Sequence, residues 1–421
     1  MTFHDWQQLS PADAARELRT RATTRLSPAQ QRAVFAVLGS EEELQQQFAS
    51  ASRISPLGGV PYLTKDLFDV AGLPTFAGST FLPEVRPTPT RDGAFTAALA
   101  KAGAVLAGKT HLHEFAYGVT GENPNYGDCE HPRFPGRTTS GSSSGSAAAV
   151  AAGIVPFATG SDTGGSVRLP AAFCGLFGYR GEPHHPWISD AFPLAPSFDT
   201  AGWFTANAGD MRLVLAALVG LRTSERTPRG CYLELPGLDR DVATAFRSAA
   251  ARLTSAADAA TSHSLLSGFS HASDAYNTTA IIEAWEVHRS WADRYQSRYD
   301  PAVWQRLIRF HGLKPDQITT AEVRLIALRS IWTSFFLTFD FLVLPASPSA
   351  AFTKAECTAE NRLRILDLTA PASIGGLPVL TLPVSLPSGL TTGLQVIVNH
   401  PQSPVLNWAL EQWREWKPPA R

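Results

Sequence analysis

Charged side chains are few in this sequence, 17% of 421 residues, against about 25% in an average soluble chain. Neither sign prevails. Lys+Arg 36 against Asp+Glu 37 leaves a net charge of −1, too little for the electrostatic footprint that nucleic acid or an anionic membrane surface requires. Cysteine is scarce. Cys129, Cys174, Cys231 and Cys357 are the only four, widely scattered, with no CxxC and no framework spacing. Free thiols in a reducing cytoplasm are therefore the default expectation. No apolar run reaches the roughly 18 residues of a membrane-spanning helix. The opening MTFHDWQQLSPADAARELRTR lacks the apolar core and cleavage site of a signal peptide. Gly 32 and Pro 31 are near ordinary usage, so disordered, collagen-like and coiled-coil readings fall away. What is abundant is apolar side chain, 44% of the chain, enough to build a large core.

The first 55 or so residues read as helices. Ser10-Pro11 and Ser27-Pro28 each place a capping hydroxyl before a proline at the first helical position. From Leu57 short apolar runs such as Val60–Leu63 and Ala104–Ala107 alternate with helical stretches such as Ala94–Ala102, the texture of buried strands between helices. Residues 205–330 read as mostly helical, with Glu283–Arg294 and Ala321–Trp332 the clearest amphipathic stretches. Strand-like runs return at Phe341–Leu344, Val379–Leu382 and Gly393–Val398. Trp408, Trp413 and Trp416, at near-helical spacing, read as a face docked onto the core rather than a membrane anchor. No internal repeat and no linker is visible. A single α/β domain over residues 1–421 is expected. It would have a helical N-terminal arm (1–55), a catalytic core (57–202), a mostly helical region (205–330) and C-terminal strands and helix (340–421).

Two small-residue loops stand out in residues 136–181. Gly136-Arg-Thr-Thr-Ser-Gly-Ser-Ser-Ser-Gly-Ser146 runs directly into the apolar Ala147–Ala152, and Gly160-Ser-Asp-Thr-Gly-Gly-Ser-Val-Arg168 follows Gly153–Pro156. A flexible linker would not be fused to apolar segments on both sides, so the pair reads as a site. Gly141-Ser142-Ser143-Ser144-Gly145 fits the G-x-S-x-G pattern, which would make Ser143 a nucleophile. That pattern needs a strand immediately before it, and Pro135–Ser140 is polar and turn-like. The second loop is more informative. Thr163-Gly164-Gly165-Ser166 puts a hydroxyl after two residues that allow close backbone approach, and its successive amides suit an oxyanion. Asp162 and Arg168 bracket it and are placed to pair. Such a serine needs a base, and Lys65, directly after an apolar run, becomes one if burial keeps it neutral.

Together GGVPYLTKDLFDVAG, SGSSSGSAAAVAAG and GSDTGGSVRLPAAFCG resemble the amidase signature hydrolases. Gly108-Lys-Thr-His-Leu-His-Glu-Phe115, Gly121-Glu-Asn123, Ser197-Phe-Asp-Thr-Ala-Gly202, Leu342-Val-Leu-Pro345, Gly376-Leu-Pro378 and Gly393-Leu-Gln395 extend the resemblance over most of the chain. It implies a large mixed β-sheet core flanked by helices and a Ser-cisSer-Lys triad. Ser166 would be the nucleophile, Ser142, after a cis peptide bond to Gly141, the bridging serine, and Lys65 the base. The amides of Thr163, Gly164, Gly165 and Ser166 would form the oxyanion hole. The implied activity is hydrolysis of a small-molecule amide through an acyl-enzyme, with no metal, no organic cofactor, no nucleic acid and no membrane. A homodimer is left open. Two other readings stand beside it: a glutamine-using amidotransferase subunit working in a complex, and a catalytically silent scaffold, against which the intact triad argues.

The sequence departs from the family at Gly178-Tyr-Arg-Gly-Glu182, at Pro183-His-His-Pro186, at His111 and His113, and at Ser144. These touch no triad member and leave the acyl and leaving-group pockets undefined. His111 and His113, with Cys129 and His131 nearby, would point one way from a strand. Without CxxC or HExxH, local hydrogen bonding is the expectation rather than a metal. His184-His185 reads as loop, Cys174 as a buried structural thiol, and Glu283 with His288 as surface or packing.

Overall fold

The computed structural model describes residues 1–417; residues 418–421, the end of the expected domain, lie outside it. Ten strands among the described residues form one sheet: β1 (Phe35–Leu38), β2 (Pro61–Lys65), β3 (Val105–Thr110), β4 (Phe157–Ser161), β5 (Phe177–Arg180), β6 (Ala201–Thr205), β7 (Gly230–Tyr232), β8 (Phe341–Pro345), β9 (Val379–Ser385) and β10 (Thr391–Val398). Their order is β1-β3-β2-β4-β6-β5-β9-β10-β8-β7. β3, β2 and β4 run parallel, β7 runs parallel to β8, and the other pairings are antiparallel. The expected α/β class and mixed sheet hold. Strands β2, β4, β5, β6, β8 and β10 are buried along their whole length, which is why they read as unbroken apolar runs rather than alternating ones.

Both edges of the sheet come from segments expected to be helical. Phe35-Ala-Val-Leu38 follows directly on the helix Pro28–Val34 and pairs antiparallel with β3. The N-terminal segment is thus built into the sheet rather than appended to it. A run of four apolar residues fits a strand as well as a helix, and the sheet edge decides it. Gly230–Tyr232 does the same at the far edge. The expected helix Glu283–Arg294 is also two pieces. Ala272–His288 ends in a break at Arg289–Trp291, and Ala292–Tyr295 resumes. The expected caps are present: Ser10 Oγ accepts from Asp13 N–H and Ser27 Oγ from Gln30 N–H, both at 3.2 Å. At the C-terminus Trp413 is buried and its Nε1–H donates to the Pro383 carbonyl at 2.9 Å, a docked face. No helix among the described residues is long and apolar enough to cross a membrane, and all four cysteines are free.

Candidate active site

Parallel strands β2 and β4 are neighbours, so their carboxyl ends open on the same side, where open α/β sheets gather their functional loops. Lys65 is the last residue of β2 and Ser161 the last of β4. The Ser/Gly loop enters beside them ahead of the helix Ser144–Ala151, and the T-G-G-S loop leaves β4 toward the helix Arg168–Cys174. Lys65 is completely buried. Its Nζ lies 2.7 Å from Ser142 Oγ, 2.9 Å from Ser143 Oγ and 2.8 Å from Ser161 Oγ, with no carboxylate paired to it among the described residues. Burial pushes its pKa down to about 7, against the opposing pull of Asp162 and Asp199. The Gly141–Ser142 peptide is cis. Ser143 Oγ, the G-x-S-x-G candidate, is enclosed and donates to the Ser161 carbonyl at 3.2 Å. It does not face a ligand. Ser143 and Ser161 are partners of the lysine that the sequence reading missed; Ser161 was read as part of the Gly160–Arg168 loop, whereas it is the last residue of β4.

Ser166 lines a narrow cleft with Thr163, Gly164, Tyr117, Tyr276 and Arg362. Its hydroxyl makes no hydrogen bond to Ser142 or Lys65 here, so the lysine and its three serines are assembled while Ser166 stands free at the cleft. The T-G-G-S loop needs its glycines. Gly165 has φ +129, and a Cβ on Gly164 would lie 2.5 Å from the Tyr276 hydroxyl. The expected four-amide oxyanion hole is reduced. The Gly165 N–H is committed to Asp162 Oδ1 at 2.9 Å, because the carboxylate beneath the loop collects it together with the amides of Val167 and Arg168. The amides of Thr163, Gly164 and Ser166 have no protein partner among the described residues.

Asp162 and Arg168 pair as expected, with Nη2–Oδ1 at 2.9 Å and both side chains fully buried. Sequence reading missed their third member. Arg180, in the departure Gly178–Glu182, reaches the same Oδ1 at 3.1 Å and donates to the Asp162 carbonyl. Burial alone would raise the Asp162 pKa, but Arg168 and Arg180 outweigh it and hold the carboxyl well below the usual range. Arg168 also donates to Gln395 Oε1 and the Thr369 carbonyl at 2.8 Å. Asp199 accepts from Thr163 Oγ1 at 2.5 Å, and Thr200 Oγ1 donates to the Asp162 carbonyl at 2.8 Å. Asp162→Ala leaves two buried guanidiniums without a counter-charge and should cost about 3–5 kcal/mol of folding free energy. Urea unfolding measures this, and a loss below about 1 kcal/mol would contradict the bracing role.

No histidine side chain bonds Lys65 or its three serines among the described residues. β3 ends at Thr110, so His111 and His113 sit beyond the strand rather than along it. His111 stacks on Tyr126 with centroids 3.8 Å apart, and burial lowers its pKa to about 4. His113 is buried, its backbone N–H donating to the Ser142 carbonyl at 3.1 Å. His131 bonds the Phe173 carbonyl at 3.2 Å. No three His, Cys, Asp or Glu side chains converge as a metal cluster among the described residues. His184 sits in the loop and His185 caps the short helix Pro186–Ser189. With Tyr179, Glu182, Trp187 and Gln402, His185 lines a cavity of about 300 Å3 that contains none of Lys65, Ser142 and Ser166. The departures there shape a separate hollow. Cys174 is buried and burial pushes its thiol up. Glu283 Oε2 accepts from Ser197 N–H at 2.9 Å and His288 bonds the Tyr299 hydroxyl at 2.9 Å, both packing roles.

Known proteins resemble this chain in sequence and fold. A family model described as Amidase matches residues 20–403. Amidase 1 of Oryza sativa subsp. japonica is 42% identical over 194 residues, 44% of this chain and 44% of that protein. The match thus spans less than half the length of that relative. A glutamyl-tRNA(Gln) amidotransferase subunit of a Cyanothece species is 31% identical over 413 residues, 86% of this chain and 85% of that one. A crystal structure described as an amidase superposes with a TM-score of 0.83 at 28% identity, covering 98% of this chain and 99% of that one. With the family match running from the second helix to the cap of the last, the chain belongs to the amidase family.

Proposed function

We propose that this chain hydrolyses a small-molecule amide through an acyl-enzyme on Ser166. The observation that carries the reading is a buried lysine whose amine has three hydroxyls as its only polar partners among the described residues and whose pKa is pushed down to about 7. A neutral amine has two N–H bonds and one lone pair. Ser143 and Ser161 accept the two N–H bonds, and Ser142 donates its O–H to the lone pair. The relay requires Ser166 Oγ–H to donate to Ser142 Oγ, and apo sites often tighten such contacts only when substrate binds. Ser166 Oγ then attacks the carbonyl carbon, its proton moves to Ser142, and the Ser142 proton moves to Lys65. The oxyanion is held by free amides of Thr163, Gly164 and Ser166, fixed in advance by Asp162. As the C–N bond breaks, the proton returns to the departing amine. Water then attacks the ester, the acid leaves, and Ser166 recovers its proton by the same route.

Labelling with a fluorophosphonate tests this. Ser166 Oγ should displace fluoride and carry the phosphonyl group, read by peptide mass; label on Ser142 or Ser143 instead, or none, sinks the reading. Ser142→Ala should fold normally and lose roughly 10²–10⁴ in kcat, somewhat less than loss of Ser166 if water relays in its place. An unchanged kcat removes Ser142 from the proton route.

The similarity to an amidotransferase subunit over 85% of its length supports a second reading, glutamine as the amide and ammonia handed to a partner protein. Ammonia release from glutamine by the isolated chain, against release from simple primary amides, separates the two.

A further inference from the structure

Three arginines in the protein's interior or near it differ sharply in company. Arg168 and Arg180 share Asp162. Arg362, on the helix Ala359–Ile374, has no carboxylate within ion-pair distance among the described residues, although its side chain lines the cleft beside Ser166. Among the described residues its side chain makes one hydrogen bond, from Nη1 to the neutral Asn277 Oδ1 at 3.2 Å, and its Nε is enclosed without a partner. Further cations lie around it, although Asp300 and Glu122 bear on Arg306 with the opposite sign. Arg306 donates to the Tyr117 carbonyl at 2.5 Å, forms no ion pair among the described residues, and lies within electrostatic reach of Arg362. Arg309 bears on Arg362 in the same sense. The other lining residues, Tyr117, Val119, Leu194, Tyr276 and Leu366 among them, are neutral. Arg362 is only partly buried, so a group entering the cleft can reach it, and a guanidinium partly drawn from water with no counter-charge gains by meeting one.

We propose that the amide taken at Ser166 carries a carboxylate, and that Arg362 is the group that receives it. This rests on Ser166 being the attacking residue. A guanidinium presents paired N–H donors in the geometry of a carboxylate, and a charge-assisted pair inside a closed cleft is stronger than a neutral contact. Nη2, which donates to nothing among the described residues, and the weakly held Nη1 supply those donors at the outer end of the guanidinium. Arg306 and Arg309 extend the positive field outward, so a short acidic amide is drawn in and an amine-bearing one repelled. The narrow cleft adds a size limit: small acids rather than fatty or aryl amides.

The test is binding to the Ser166→Ala chain by titration calorimetry, which needs no turnover and so fails separately from the hydrolysis reading. Succinamate, with its carboxylate on the acyl side, is compared with its uncharged isostere 4-oxopentanamide. N-acetyl-β-alanine, with the carboxylate on the amine side, is compared with N-(3-oxobutyl)acetamide. At least one acid should bind about 10-fold or more tighter than its isostere, the scale of a charged hydrogen bond, and which one does reports the side of the amide that faces Arg362. Adding Arg362→Gln should erase that preference, and Arg362→Lys, which keeps the charge but loses the fork, should retain part of it. Equal binding of each acid and its isostere overturns the proposal, as does a preference that survives Arg362→Gln intact.

Discussion

Ser166→Ala should lower kcat for any amide substrate by about 10⁴-fold or more, the scale on which loss of a serine nucleophile is felt, while leaving the fold and the unfolding midpoint unchanged. The side chain is small, makes no hydrogen bond to the Lys65 cluster, and sits at a cleft wall, so nothing structural depends on it. The expectation is sharp because rival hydroxyls lie close by. Ser142, Ser143 and Ser161 all contact Lys65 Nζ within 2.9 Å, and on proximity to the base alone any of them would serve. None of Ser142, Ser143 and Ser161 lines the cleft. Only Ser166 combines a place in the cleft with free amides on its own loop. Steady-state rates on the purified variant, together with its urea unfolding curve, separate loss of chemistry from loss of structure. A kcat within tenfold of the unsubstituted chain would return the nucleophile's role to Ser142.

Much of this arrangement was legible in the sequence because the lysine, the two loops and Asp162–Arg168 are each local strings with unusual composition. The C-terminal landmarks were visible too, though their purpose was not. Gln395, Thr200 and Leu377 belong to motifs spread over nearly two hundred residues, and the sheet brings them to one place behind the T-G-G-S loop. Gln395 Oε1 takes Arg168, Thr200 Oγ1 donates to the Asp162 carbonyl, and the Leu377 carbonyl takes Arg180 Nε at 3.3 Å. Arg180 was hidden because a deviation from a family pattern does not say what replaces the usual contact. Arg362 was hidden for another reason. It lies in Asn361-Arg-Leu-Arg364, an ordinary solvent-facing helix texture, and only packing of that helix against the one carrying Tyr276 turns one arginine of the pair inward; Arg364 instead reaches Asp239 at 2.9 Å. The edge strands β1 and β7 escaped because four or three residues carry too little periodicity to separate strand from helix.

Lys65→Ala should cost about 10²–10⁴ in kcat, the range of general acid–base catalysis, and should also change the shape of the pH profile. The sign follows from which form works. The amine must be neutral to accept a proton, and burial brings its pKa down to about 7 from the usual value near 10.5. Below that point Lys65 holds its proton and the rate should fall about tenfold per pH unit; above it the rate should level off. The limb belongs to the lysine with its serines as a coupled set. Asp162 titrates far below this window, so it contributes nothing between pH 5 and 9. Glu114 is the group to separate, because burial raises its carboxyl to about 8. It is not in contact with Lys65, and its ionised form would not accept the serine proton. An uncharged primary amide should be the substrate, so that no ionisation of the ligand intrudes. Measured as kcat/KM from pH 5 to 9, the limb near 7 should be present in the unsubstituted chain and absent in Lys65→Ala. A limb that persists at the same pH after the substitution would assign it to Glu114 and leave Ser166 without the base proposed for it.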